Sequence, residues 1–228
     1  MKPISLLVLG VMAVAMSAPA QAQVYEERRK EVVTDPIEKP LLAAPNAAMA
    51  RDATVIKIIR NPDAGEVVTA ADFTYEVLRR GPGRMVCYDL TGFPGERPWS
   101  VECTSSDANL PRIMQNRAFA EMGAKATPLL GEDDPRRAGL PVLSSSGTGG
   151  IRDLVVAAGK DGTRELSEVG SIWYNLRGDS QHTAIWHTFI GMPGFTAEQV
   201  GLPNNRDAGG AWLMFEGTPE AHIMIGGR

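Results

Sequence analysis

The sequence predicts an α+β domain, a mostly antiparallel sheet with two or three helices packed on one face. Two observations lead to this fold class. Short segments rich in β-branched or alternating apolar residues recur at both ends of the chain, and helical periodicity is confined to the middle. With 228 residues, 43% of them hydrophobic, the chain can bury one substantial core.

Four strands are predicted in the first half. Residues 53–59 form a β-branched run, and residues 73–77 alternate apolar and polar side chains with a period of two. After the turn at 81–83, residues 85–88 are expected to return as the second strand of a hairpin, and 99–103 is a further strand. A capped helix over 69–80 is the alternative for the second of these strands.

The two cysteines, Cys87 and Cys103, fall in two of these strands. In an exported chain an isolated pair usually forms a disulfide, which would tie the strands together across the 92–95 loop. The chain-entropy model gives such a link about 3 kcal/mol of stabilisation. The alternative is a catalytic cysteine with a histidine partner, but a second cysteine nearby would consume the nucleophile.

Two helices are expected in the middle and four strands at the end. Residues 107–122 place apolar side chains on one helical face, with Gly123 positioned to end the helix, and residues 151–158 form the second helix. The segment between them, 127–150, is expected to be a loop. The last strands are expected over 171–176, 183–192, 211–216 and 222–225, and a capped helical turn begins at Thr196.

Residues 1–22 have the order of a cleavable signal peptide. A basic Lys2 precedes an apolar run that is too short to span a bilayer, and Ala20 and Ala22 suit the processing protease. No cysteine follows the apolar run, so no lipid anchor is expected after cleavage. We therefore expect a periplasmic or secreted protein with a flexible, charged and proline-rich arm over 23–52, and a single domain over 53–228.

Charge and motifs restrict the possible functions. The excess of 27 acidic over 23 basic side chains disfavours nucleic acid as a partner and leaves a small molecule or an envelope protein. The serine- and glycine-rich segment 144–150 lacks the lysine of a phosphate-binding loop, and 132–137 lacks the ligand spacing of a calcium loop.

The three histidines suggest two kinds of site. His222, with Glu216 or Asp179, could serve a hydrolase or a metal-assisted enzyme. His187 alternates with apolar neighbours, which favours a hydrogen-bonded core histidine, but it is also a candidate ligand contact with Trp186 and Trp212. The spacing of His182 and His187 does not let one element hold a metal, so no metal site is predicted, and the sequence leaves any cofactor unknown.

The C-terminal segment 209–224 carries a Gly-Gly-x-Trp strand at Trp212 and a Gly-Thr-x-x-x-His-x-Met ending at His222. Together with the cysteine region it resembles an uncharacterised family of exported proteobacterial proteins. The resemblance implies the compartment and the extent of the domain, from about residue 53 to the end, and assigns no activity. Whether the chain is an enzyme stays open, and a binding module is the first hypothesis because no complete catalytic signature is present.

Overall fold

The computed structural model describes residues 31–126 and 158–225. Its centre is an eight-stranded sheet in the order β2-β1-β3-β4-β5-β6-β8-β7. Every neighbouring pair is antiparallel except β1 and β3. The strands are β1 Thr54–Arg60, β2 Phe73–Arg79, β3 Val86–Asp89, β4 Trp99–Thr104, β5 Ile172–Gly178, β6 Ile185–Gly191, β7 Ala211–Met214 and β8 His222–Ile225. The α+β fold class predicted from the sequence is confirmed.

Helices cover both faces of this sheet. Among the described residues the α-helices are α1 Glu38–Leu41, α2 Ala47–Asp52, α3 Leu110–Ala126 and α4 Ala197–Val200, and residues 158–160 are also helical. Single turns of 3-10 helix occur at Ala70–Asp72, Asp107–Asn109 and Arg206–Ala208. The capping box predicted at Thr196 is present, and Gly201 ends α4 in the left-handed region at φ 66°.

One face, which we call the disulfide face, carries the bond between Cys87 and Cys103. These residues are directly paired on β3 and β4, with their Cα atoms 4.1 Å apart, so the predicted disulfide between two strands is confirmed. Helices α1 and α2 pack over this face. The buried cluster beneath them contains Leu41, Leu42, Ala43, Ala44, Ala50, Val55, Cys87, Val101, Cys103 and Leu176.

The N-terminal helices place residues 31–52 in the domain, whereas the sequence led us to expect a flexible arm up to residue 52. Leu42 is 5% exposed and Ala44 is fully buried. Lys39 Nζ donates to Asp89 Oδ2 at 2.7 Å, which holds α1 against the end of β3. Proline does limit both helices to one or two turns, but the apolar run that follows Pro40 is long enough to fill the disulfide face.

The opposite face, the α3 face, is covered by the long helix. Its apolar cluster joins Ile113, Met114 and Ala118 of α3 to residues of β1, β3 and β5. The helix runs past Gly123, where the sequence predicted its end, and finishes at Ala126. Because α3 packs against Tyr88 of β3 and Trp173 of β5, polar side chains on the neighbouring strands of this face are desolvated as well.

The hairpin predicted between residues 73–77 and 85–88 is wrong. Strand β3 pairs in parallel with β1, and β2 pairs with the other edge of β1. The connection crosses the start of β1, where Gly83 N donates to Asp52 O at 2.9 Å. Gly81 passes so close that a Cβ atom there would lie 2.2 Å from Asp52 O, so only glycine permits this crossing.

Several predictions fall outside the described residues. These are the signal peptide over 1–22, the first part of the arm, the segments 132–137 and 144–150, and all of the 151–158 helix except Ala158. Within residues 31–126 and 158–225, no helix is long and apolar enough to cross a membrane.

Candidate functional site

A row of polar side chains crosses the centre of the α3 face. Tyr88 of β3 pairs with Glu102 of β4, Glu102 with Asn175 of β5, and Asn175 with His187 of β6. Directly paired residues point to the same face, with their Cβ atoms about 5 Å apart. Arg177 lies two residues beyond Asn175 on the same face. We call these five side chains the Glu102 site.

Glu102 is the central group of this site. Burial raises the pKa of the Glu102 carboxyl to about 7, and the neighbouring Glu96 carboxylate adds to the effect. Arg117, Arg177 and a hydrogen bond from the Tyr88 hydroxyl act in the opposite direction without overcoming it. Although the protein encloses Glu102, the residue is only half-buried.

Buried charged side chains surround the Glu102 carboxyl. Arg117 of α3 forms an ion pair with Glu96, and their side chains are 6% and 3% exposed. Ser100, on the same face of β4 as Glu102, donates from Oγ to Glu96 Oε2 at 3.3 Å. Arg177 is 6% exposed, and its pKa is lowered by burial. The Glu102 carboxyl is thus placed among fixed charges of both signs.

His187 closes the row on the side of β6. Burial lowers the pKa of its imidazole to about 4, and the positive charges of Arg177 and Arg97 contribute. The ring is therefore neutral at the pH where Glu102 is half-protonated. A carboxyl whose pKa is raised and an imidazole whose pKa is lowered, two strands apart, can donate and accept hydrogen bonds towards one bound molecule.

Three buried polar atoms on this face have no hydrogen-bond partner among the described residues. They are Asn175 Oδ1, Arg117 Nη1 and Trp173 Nε1. Asn175 is 5% exposed, and Trp173 precedes it by two residues on β5. Buried polar atoms are normally paired, since leaving one unpaired costs about 1–3 kcal/mol. These atoms mark the Glu102 site as a place where polar groups are held without a structural partner.

A second buried cluster lies beside the first, where the C-terminal strands meet α3. The Glu220 carboxylate accepts from Arg112 Nη2 at 2.6 Å and from Arg164 Nε at 2.6 Å. Burial alone would raise the pKa of Glu220, but the two guanidinium groups outweigh it and lower that pKa. Arg164 also donates to Gln115 Oε1 at 2.5 Å. This triad fastens α3 to the C-terminal hairpin.

The structure does not join His222 to the carboxylates proposed for it. His222 Nδ1 lies 2.6 Å from Glu220 O, and its ring lies between Phe189 and Phe215, 5.0 and 5.7 Å between ring centroids. Burial lowers its pKa. The carboxylate of Glu216 instead accepts from Ala197 N and Asn204 Nδ2, both at 2.9 Å.

Asp179 is farther away. It is exposed and lies 3.7 Å from Arg97 at the opposite end of the sheet, which the strand register places more than roughly 20 Å from His222. His187 and His222 are separated by four residues along β6 and one strand, roughly 14 Å between Cα atoms. The hypothesis of an enzyme that uses His222 with Glu216 or Asp179 stays a prediction. The hydrogen bonds of His222 and Glu216 go to other groups.

The candidate ligand contacts are divided between the two faces. Trp186 pairs with Leu176 and packs against the cluster of the disulfide face. Trp212 pairs with Met224 on the α3 face, in the row that also contains Phe189 and Trp173. His187 alone of the three belongs to the Glu102 site. No group of three or more His, Cys, Asp or Glu suited to a metal occurs among the residues that the structure describes.

Sequence reasoning missed Glu102, Tyr88, Asn175 and Arg177. Strand alternation could have indicated them, because all four side chains point to the same face of the sheet. Helix α3 brings further polar residues to that face. Comparison with known proteins adds no assignment, since no family model, curated protein or solved structure matches the chain.

Proposed function

We propose that this chain is an exported envelope protein that binds a small polar molecule at the Glu102 site. The observation that carries the proposal is the desolvated carboxyl of Glu102 on the α3 face, one strand from Asn175 Oδ1, a buried acceptor with no hydrogen-bond partner among the described residues. Ligand sites are typically recesses with a few convergent polar groups and a titratable group whose pKa is perturbed.

The polar atoms beside Glu102 support a binding role. A donor seated against the Glu102 carboxyl would lie one strand from Asn175 Oδ1, which lacks a partner among the described residues. His187 would supply a neutral imidazole on the far side. As expected from the sequence, the proposed ligand lies on the sheet and contacts His187. The proposed site, however, lies at the centre of the α3 face and not at the C-terminal aromatic residues.

Export is part of the proposal. The signal-peptide order of residues 1–22, the resemblance to an exported family and the disulfide between Cys87 and Cys103 all support a periplasmic or secreted protein. Mass spectrometry of the protein recovered from cells tests this part. We expect a chain beginning at Gln23 with both sulfurs oxidised; an intact Met1 with two alkylatable thiols would refute export.

Thermal-shift screening against a panel of small polar metabolites tests the binding site. Any compound that raises the Tm of the native chain is repeated on Asn175→Ala and on Trp212→Phe, each compared with its own unliganded Tm. We expect the shift to be lost in Asn175→Ala and kept in Trp212→Phe. The reverse pattern would move the site to the C-terminal aromatics, and a panel without any hit would argue against the binding function.

A further inference from the structure

Strand β2 is an open edge of the sheet. It pairs with β1 on one side, and no other strand joins it in the part of the chain that the structure describes. Thr74, Tyr75 and Glu76 are all exposed, although consecutive side chains of a strand point to opposite faces. Both faces beside this edge are therefore open. An uncovered edge strand is a template for pairing with another strand.

The ladder with β1 determines which backbone groups of β2 reach the open edge. Asn61 N donates to Asp72 O at 2.7 Å, so the next pair along the ladder, which contains Phe73, is not hydrogen-bonded. Bonded and non-bonded pairs alternate in an antiparallel ladder, which leaves Tyr75 and Val77 in non-bonded pairs as well. The backbone N–H and C=O groups of these three residues point away from β1.

The other side of β1 agrees with this alternation. Thr54 N donates to Met85 O at 2.8 Å, and Ile56, two residues on, therefore also directs its backbone groups towards β3. Ile56 is the partner of Val77 in the ladder with β2. The pair of Ile56 and Val77 is thus not hydrogen-bonded, as the alternation requires.

One of the outward groups is already used within the chain. Phe73 N donates to Ala70 O at the end of the 3-10 turn. The Phe73 carbonyl and both backbone groups of Tyr75 and Val77 have no protein partner among the described residues. Beyond Val77 the register with β1 shifts by one residue, a bulge that bends the strand. The stretch that can accept another strand is therefore 73–77.

We infer that the 73–77 edge pairs with the same edge of a second copy of this chain, antiparallel and about a two-fold axis at Tyr75. The two Tyr75 residues face each other and exchange two hydrogen bonds. Each Val77 N donates to a Phe73 carbonyl across the axis. This inference does not depend on the Glu102 site.

Charge decides between this register and the alternative with equally many hydrogen bonds. With the axis at Glu76, Tyr75 and Val77 would bond to each other across the axis, but the two Glu76 carboxylates would be directly opposed. Like charges directly opposite destabilise a pair of strands. With the axis at Tyr75, each Glu76 faces Thr74 and keeps Lys57 as its neighbour on β1. The edge is thus complementary to itself, which favours a second copy as its partner.

The opposite edge of the sheet limits the assembly to two copies. Strand β7 has only four residues, and on its outer side Leu213 N donates to Pro203 O at 2.8 Å. A two-fold contact through β2 uses the same edge of both copies, and it leaves no second open edge among the described strands. The product is a closed dimer with one continuous sheet.

Amide hydrogen exchange of the native chain, followed by NMR between about 10 µM and about 1 mM protein, tests the pairing. We expect the amides of Tyr75 and Val77 to exchange about tenfold or more slowly at the higher concentration, because they bond to the second copy in the dimer and to water in the single chain. The amides of Thr74 and Glu76 bond to β1 in both states and should change much less. Sedimentation over the same range should show the mass rising towards two copies.

Two lysine substitutions provide a matched comparison. Tyr75→Lys would place two ammonium groups opposite each other and should weaken dimerisation by about tenfold or more. Thr74→Lys would place each ammonium group opposite Glu76 and should leave dimerisation unchanged or strengthen it. Both side chains are exposed in the single chain, so both variants should keep the fold, which circular dichroism checks.

Every other outcome overturns the inference. A single copy at the highest concentration would exclude the dimer, and a dimer that leaves the amides of Tyr75 and Val77 unchanged would place the contact elsewhere. Slow exchange of these amides already at the lowest concentration, in a single copy, would show that the chain itself covers the edge. Equal effects of Tyr75→Lys and Thr74→Lys would refute the axis at Tyr75. The metabolite panel decides the proposed binding function separately in each case.

Discussion

At the scale of single residues, Glu102 shows how position within a sheet changes the chemistry of a side chain. On an open sheet a glutamate between Val101 and Cys103 would point into water and keep an ordinary acidity. Here α3 lies over that face, and desolvation raises the pKa of the carboxyl to about 7. The protonation state of Glu102 is therefore coupled to folding.

This coupling has a defined sign. The unfolded carboxyl has a pKa of 4.5 and the folded one about 7, so the fold favours the protonated form. Stability from this group is complete below pH 4.5, falls as the pH rises from 4.5 to 7, and is lower by about 3 kcal/mol at pH 8. Glu102→Gln carries no charge at any pH. We expect it to exceed the native chain in free energy of unfolding by roughly 1–3 kcal/mol at pH 8 and to match it near pH 4.

Urea unfolding at both pH values measures this difference, with the exposed Glu76→Gln as the matched control on another strand. A difference between Glu102→Gln and the native chain that does not change with pH would contradict the assigned burial of the carboxyl.

The sequence could predict little of this site. Alternation in 99–103 places Val101 and Cys103 on one face and leaves Glu102 on the other, but this local pattern does not reveal that the helix following β4 folds back onto that second face. Helix α3 gives a second indication of a polar site on this face, because three of its polar side chains, Arg112, Gln115 and Arg117, are buried. His187 is among the candidate ligand contacts from the sequence, although its alternation with apolar neighbours favours a hydrogen-bonded core histidine.

At the scale of secondary structure elements, the Glu220 triad joins three parts of the chain. It connects α3, the segment that contains Arg164, and the turn between β7 and β8. Since both guanidinium groups are buried, removing the shared carboxylate would leave two unpaired charges in the interior. This triad, together with the packing of Phe215 against Ala120, holds the C-terminal hairpin against the helix.

Glu220→Ala should therefore be severely destabilising, by about 3–5 kcal/mol. The matched control is Glu216→Ala, four residues earlier, whose exposed carboxylate accepts two hydrogen bonds at the surface and should cost less than about 1 kcal/mol. Chemical denaturation of both variants measures the difference. Equal losses would show that the buried pairs contribute no more than surface hydrogen bonds.

Strands and helices with a strong local sequence pattern could be predicted, but the neighbours with which the strands pair could not always be. The β-branched run at 53–59 and the capping box at Thr196 both lie where the structure has them. The turn at 81–83 was recognised, but a turn does not specify which edge of β1 the next strand joins. The crossing depends on a close approach of Gly81 to Asp52, which is a tertiary contact.

At the scale of the whole molecule, the domain begins earlier than its composition suggests. Prolines and charges dominate 23–52, and they conceal the short apolar run that covers the disulfide face. Tertiary packing decides the outcome because this face of β3 and β4 would otherwise expose apolar residues to water.

Leu42→Ala tests this boundary. Leu42 is 5% exposed, so we expect a loss of about 2–4 kcal/mol in the free energy of unfolding. Val32→Ala, at a residue that is 66% exposed, should change it by less than about 0.5 kcal/mol. An equally small effect of Leu42→Ala would contradict the packing of this segment in the domain and would favour the flexible arm expected from the sequence.

The order of the strands has a consequence for how the chain acquires its fold. Strands β1 to β4 form one side of the sheet and β5 to β8 the other, and the two sides are joined at the ladder between β4 and β5. A polypeptide that emerges N-terminus first can thus assemble its first four strands, helix α3 and its cystine before the remainder has appeared. That earlier half then offers the edge of β4 to β5, after which β6 and finally the hairpin of β7 and β8 complete the sheet, with β8 joining β6.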